Sequence, residues 1–148
     1  MTETLHILLV EDSEDDAVLM IRELRRAGLD VECERVDDEE AMREALGRRT
    51  WDAVVCDWQR PHFSAPGALA VLASSKLGLP FIIVSGSIGE EKAAEAMRAG
   101  ASDFVLKDRL SRLGPALERE IRERRGRESL EQQLRAVLDR PPHTRSPT

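Results

Sequence analysis

Five short apolar runs punctuate this chain, and each is followed by a longer segment whose apolar residues recur at helical spacing. The runs are Ile7–Val10, Val31–Val36, Trp51–Cys56, Phe81–Val84 and Phe104–Leu106. Short runs rich in Val, Ile and Phe, lying between helical patterns, read as strands. Most are apolar on both faces, which predicts a parallel sheet covered on each side. The run VECERV at 31–36 alternates apolar and polar residues and is expected at a sheet edge.

The intervening segments carry helix signals. Ala17, Val18, Ile21, Leu24 and Arg25 form the expected stripe of a first helix, stopped at Gly28. Asp37 or Asp38 caps a second helix carrying Ala41, Met42, Ala45 and Leu46, ended by Gly47. Ser64 caps a third with Leu69, Val71 and Leu72; residues 90–99 form a fourth, ended by Gly100; a fifth starts near Arg109. Strand–helix alternation with right-handed crossovers gives an α/β chain. The expected fold is a flavodoxin-like three-layer sandwich, a five-stranded parallel sheet of order 2-1-3-4-5 with helices on both faces.

The 148 residues favour one domain, here placed at 1–125, with 126–148 as a helical extension and a Pro-rich tail, RPPHTRSPT, expected to be disordered. A net charge of −6 disfavours direct nucleic-acid binding, and no helix-turn-helix segment follows residue 125. No apolar run approaches a membrane span, and the start MTETLHILLVED is not expected to be a signal peptide. Cys33 and Cys56 lack CxxC spacing and are read as reduced and structural, so a cytoplasmic setting is expected. His6, His62 and His143 have no ligand spacing, which gives no reason for zinc.

Polar residues stand directly after four of the strands: Glu11 and Asp12, Asp57, Ser85, and Lys107. In an open α/β sheet, ligands bind at the carboxyl ends of the strands, so residues far apart in sequence converge there. Three carboxylates make a hard, oxygen-rich site suited to Mg²⁺. Asp57 is the candidate oxygen nucleophile for an acyl phosphate. Lys107 is the candidate cation for phosphoryl oxygens, and Ser85 the candidate hydroxyl donor. Glu14, Asp15 and Asp16 are more simply read as the acidic first turn of a helix, favoured by its dipole.

The segments LLVEDSEDD, VVCDWQRP, IIVSGS and DFVLKD together resemble the receiver domains of two-component response regulators, over about residues 5–125. That resemblance implies that Asp57 accepts phosphoryl from a sensor histidine kinase or phosphotransfer protein. It implies Mg²⁺ bound directly by Asp12 and Asp57, through water by Glu11, and by the backbone carbonyl of Gln59, with the Gln59 side chain near the path of attacking water. It implies Ser85 and Lys107 on the phosphoryl group, and Phe104 with Ser85 as switch residues. Such a domain catalyses only its own phosphorylation and hydrolysis. Phosphorylation would reshape the face made by the fourth helix, fifth strand and fifth helix.

The sequence departs from the family pattern at several points. Asp108 replaces the usual Pro after the Lys, a variant that resembles receivers attached to sensory or kinase modules. Phe104 lacks a tyrosine hydroxyl, Arg60 replaces an apolar residue, Ala65 stands at a common Gly, and the first acid is Glu. Alternatives are a receiver-like docking module that is never phosphorylated, and a fragment of a larger sensor kinase. A flavin-binding protein is disfavoured because the EDSEDD loop would repel a phosphate. Leu110, Leu113, Leu117, Leu134 and Leu138 share one heptad register, which raises a homodimer built on the last helix.

Overall fold

A computed structural model describes residues 3–58, 63–86 and 90–139. Strands β1 (Thr4–Val10), β2 (Asp30–Val36), β3 (Ala53–Asp57), β4 (Phe81–Ser85) and β5 (Asp103–Leu106) alternate with helices α1 (Glu14–Arg26), α2 (Glu39–Arg48), α3 (Ala65–Ser75), α4 (Glu90–Arg98) and α5 (Leu113–Leu138). The strands form one parallel sheet of order β2-β1-β3-β4-β5. This is the expected flavodoxin-like architecture, with β2 at an edge.

Two apolar layers explain why the central strands are apolar throughout. On one face Leu8, Val10, Val54, Cys56, Phe81 and Ile83 pack with residues of α2 and α3, and with Ala96 of α4. On the other, Ile7, Leu9, Val55, Ile82, Val84 and Val105 pack with α1 and α5. Successive side chains of a strand point to opposite faces, so two cores demand two apolar sets. The α1 stripe differs from expectation. Ala17, Met20 and Leu24 are buried, whereas Val18 is 57% exposed. Val18 lies about 100° around the helix from Ala17, outside the arc that reaches the sheet.

Capping follows the sequence closely. Ser13, Asp38 and Ser64 accept hydrogen bonds from the backbone N–H groups of Asp16, Ala41 and Gly67. Trp51 precedes β3 instead of opening it; its indole N–H donates to the Ala45 carbonyl. A 3-10 turn, Lys107–Arg112, separates β5 from α5 and bends at Arg109 (φ −128°, ψ 42°). No peptide bond among the described residues is cis.

Helix α5 enters the core with Leu113, Ala116, Leu117 and Ile121 buried. Gly114 lets it approach α1: a Cβ there would lie 2.4 Å from the Ala27 Cβ. The Arg125 guanidinium reaches both carboxylate oxygens of Glu3 at 2.8 and 2.9 Å and Asp52 at 3.3 Å, beside the amino end of β1. Beyond Arg125 the helix continues exposed, with Leu130, Leu134, Val137 and Leu138 each at least 59% accessible. Because Leu113 and Leu117 are fully buried in the domain's own core, a heptad seam cannot run unbroken from Leu110 to Leu138. The tail at 140–148 lies outside the described residues. No described helix is long and apolar enough to cross a membrane. Cys33 is partly buried and Cys56 buried, and burial pushes the Cys33 thiol up to about 11.

Candidate functional site

Strand register aligns the carboxyl ends that carry the polar residues. Val10 pairs with Cys56, Asp57 with Val84, and Ser85 with Leu106. The residues at or just past these positions, Glu11, Asp57, Ser85 and Lys107, therefore share one edge of the sheet. Asp57 and Ser85 are the last residues of β3 and β4, where the sequence placed them just beyond. Glu11, Asp57 and Ser85 are the buried polar side chains of the described core.

Glu11 is held from several sides. Its backbone N–H donates to the Val36 carbonyl at 3.0 Å, and its Oε1 accepts from the Ser13 N–H at 3.0 Å. The Arg35 guanidinium donates to its backbone carbonyl at 3.2 Å and reaches Glu14 at 3.4 Å, bracing the β1–α1 loop. Its Oε2 is buried and has no hydrogen-bond partner among the described residues. Burial, then the neighbouring Asp57 carboxyl, pushes Glu11 up to about 8, against the Ser13 N–H, which favours its charge. Without a cation, the fold therefore favours the protonated form of Glu11.

Lys107 crosses from the end of β5 to these acids. Its Nζ donates to Asp57 Oδ2 at 3.0 Å and to Asp16 Oδ2 at 3.2 Å. Partial burial opposes its charge, but the two carboxylates outweigh that and hold the ammonium above the ordinary lysine value. Asp16 is the residue that sequence reasoning missed. Its carboxylate oxygen lies within 4.8 Å of ligand atoms of both Glu11 and Asp57. Ser13 at the N-cap and Asp16 three residues on match the spacing of a capping box, in which the acid would turn back to the cap N–H. Here that N–H goes to Glu11, and the Asp16 side chain goes to Lys107.

Asp12 is exposed and is not part of that acidic group. Ser85 is fully buried at the end of β4. Phe104, paired in register with Ile83, is partly buried and packs, like Trp58, against the core on the α2–α3–α4 face. Gln59 lies outside the described residues, as do Arg60, Pro61 and His62.

The arrangement brings a buried carboxylate, a cation 3.0 Å from it and a further buried acid together at the carboxyl edge of the sheet. An all-oxygen donor set suits a hard divalent cation. The buried Glu11 oxygen without a partner fits the same ion, because such an atom is costly to leave unsatisfied. Ligand atoms of Glu11, Asp16 and Asp57 lie within 4.8 Å of one another, and the exposed Asp12 carboxyl stands beside Glu11.

Residues 7–118 match the response regulator receiver domain family. Transcriptional regulatory protein PrrA of Mycobacterium tuberculosis is 29% identical over 101 residues, 68% of this chain and 42% of that protein. The chain thus spans about two fifths of the length of this curated relative. The crystal structure of FixJ-N superposes with a TM-score of 0.69 at 26% identity, covering 82% of this chain and 96% of that one. The receiver domain of sensor histidine kinase PA1611 from Pseudomonas aeruginosa, solved with magnesium coordinated in its active site cleft, gives a TM-score of 0.67 at 22% identity. That match covers 80% of this chain and 98% of the other.

Proposed function

This chain belongs to the response regulator receiver domain family, and from that premise we propose that Asp57 is its phosphate-accepting residue in a two-component phosphorelay. The observation that carries the reading is the buried Asp57 carboxylate with the Lys107 ammonium 3.0 Å away. The donor is a phosphohistidine on a sensor histidine kinase or phosphotransfer protein. An Asp57 oxygen attacks phosphorus, the P–N bond breaks, and imidazole leaves with a proton. Lys107 stands where charge develops on the phosphoryl oxygens, and a fixed cation there lowers the barrier. The Ser85 hydroxyl donates to a phosphoryl oxygen once the group is in place.

Mg²⁺ is the metal we assign to this cleft, held by Glu11, Asp12, Asp57 and the Gln59 backbone carbonyl. When bound it neutralises phosphoryl charge that this acidic site would otherwise repel. The magnesium in the related PA1611 receiver, and a buried Glu11 oxygen with no hydrogen-bond partner among the described residues, support the choice. The domain acts on no separate metabolite; it catalyses its own phosphorylation and hydrolysis. Phosphorylation draws Ser85 inward and alters how Phe104 packs, changing the α4–β5–α5 face. We place the protein in the cytoplasm, with residues 1–125 as the receiver and 126–148 as an extension.

Incubation with acetyl phosphate and Mg²⁺, followed by intact-mass measurement, tests the assignment. A single phosphate should add to the native chain and none to Asp57→Asn. Uptake that persists in Asp57→Asn refutes the acceptor, and no uptake by the native chain favours a docking module that is never phosphorylated. The exposed Leu130, Leu134, Val137 and Leu138 favour a further reading, a homodimer in which these stripes pack together. Light scattering should then show a dimer that Leu130→Glu with Leu134→Glu dissociates; an unchanged mass rejects this contact.

A further inference from the structure

Asp16 stands at the third position of α1, one turn beyond Asp12, and its carboxylate is turned away from its own helix cap. The cap N–H that it would normally satisfy is already bonded to Glu11 Oε1. The backbone N–H of Asp16 donates to Ser13 Oγ at 3.2 Å, which fixes the first turn and with it the position of the side chain. The Lys107 ammonium is held between Asp16 and Asp57, at 3.2 and 3.0 Å. Lysine carries a flexible four-carbon stem, so a single carboxylate contact leaves its head free to swing. Two anchors on different elements define where that head sits.

We propose that Asp16 is a positioning residue for Lys107, keeping the ammonium at the phosphorylation cleft whatever the state of Asp57. The inference rests on the reading of Asp57 as acceptor and adds a control on it. When Asp57 becomes an acyl phosphate, the negative charge moves out to the phosphoryl group and the carboxylate no longer anchors the lysine. Asp16 does not change, so the ammonium stays tethered at the edge of the cleft, within reach of the phosphoryl oxygens. Asp16 acts through Lys107 and transfers nothing itself.

A double-mutant cycle on the full chain tests this. Rates of phosphate uptake from acetyl phosphate, at saturating Mg²⁺, are measured by intact mass for the native protein, Asp16→Asn, Lys107→Ala and the double variant. Asp16→Asn should slow uptake by about three- to tenfold in the native background and have no effect when Lys107 is already absent. Asp16→Glu should recover part of the rate, since it keeps the charge. The same cycle run on affinity for beryllofluoride, which mimics a phosphoryl group, keeps the comparison measurable if Lys107→Ala reacts too slowly. An equal loss in both backgrounds overturns the proposal and makes Asp16 a metal or structural acid. A faster or unchanged Asp16→Asn overturns it as well, showing that its charge repels the donor or is idle. A native chain that takes up no phosphate and binds no beryllofluoride overturns the acceptor reading, and the proposal falls with it.

Discussion

Gly114 gives a stability prediction whose sign comes from packing against propensity. A Cβ built on it lies 2.4 Å from the Ala27 Cβ, whereas carbon atoms in contact prefer about 3.5–4.0 Å. Both atoms are one bond from a helix backbone, so no rotamer relieves the overlap. In Gly114→Ala, α5 must instead move off α1 by about 1 Å or more. That shift loosens Leu113 and Leu117, which are fully buried beside Met20 and Leu24. Overpacking of this kind costs about 1–3 kcal/mol. Alanine's better helix propensity returns at most about 1 kcal/mol, and less in the first turn. The net expectation is a loss of about 1–2 kcal/mol, or a Tm lower by roughly 2–8 °C for a chain of this size. Gly126, in the exposed part of the same helix with nothing within 4 Å of its added Cβ, is the control. Gly126→Ala should gain about 1 kcal/mol. Urea unfolding followed by circular dichroism reads both, and Ala27→Gly added to Gly114→Ala should recover much of the loss. A Gly114→Ala protein as stable as the native one, with unchanged m-value, would refute the close approach of α1 and α5.

Glu11 predicts an unusual pH dependence. Its pKa is raised in the fold to about 8, so its contribution to stability is complete below about pH 4.5 and is lost as pH rises towards 8. The ceiling on that contribution is about 5 kcal/mol; Glu11→Gln should remove the decline, and a native-minus-variant difference flat from pH 5 to 8 would contradict it. Trp58 follows Asp57 directly, so its emission should change on Mg²⁺ titration with Trp51 as background; a flat response together with silent calorimetry rejects the metal. Lys107→Ala should slow phosphate uptake by about tenfold or more, read by intact mass, and an unaffected rate would remove the cation from the chemistry.

The convergence of Asp57, Ser85 and Lys107 on one sheet edge was legible because each ends a strand or directly follows one. Asp57, Ser85 and Lys107 follow apolar runs whose parallel pairing alone brings them together. Asp16 was not legible, since three acids opening a helix satisfy the dipole equally well, and spacing does not reveal which of them turns to a lysine 91 residues away. The choice of Met20 over Val18 for the core likewise depends on the arc of α1 that the sheet covers, which side-chain type does not specify. The heptad register of the last leucines was real as arithmetic, but the domain core takes Leu113 and Leu117 first.

Among the described residues, the cation paired with the acidic group comes from the far end of the sheet, and this bears on the order of assembly. Glu11, Asp16 and Asp57 belong to the first three strand–helix units, whereas Lys107 follows β5. With β1, β3 and α1 in place but β5 undocked, Asp16 and Asp57 would meet without the ammonium, and like charges that close oppose further compaction. The edge strand β5 has only four residues, so its ladder offers little by itself. Docking it relieves the repulsion by delivering Lys107 to two carboxylates at once. The Lys107–Asp16 contact spans 91 residues, and long-range contacts of this kind go with slower folding. A chain in which β5 is undocked therefore lacks the Lys107 ammonium beside Asp16 and Asp57.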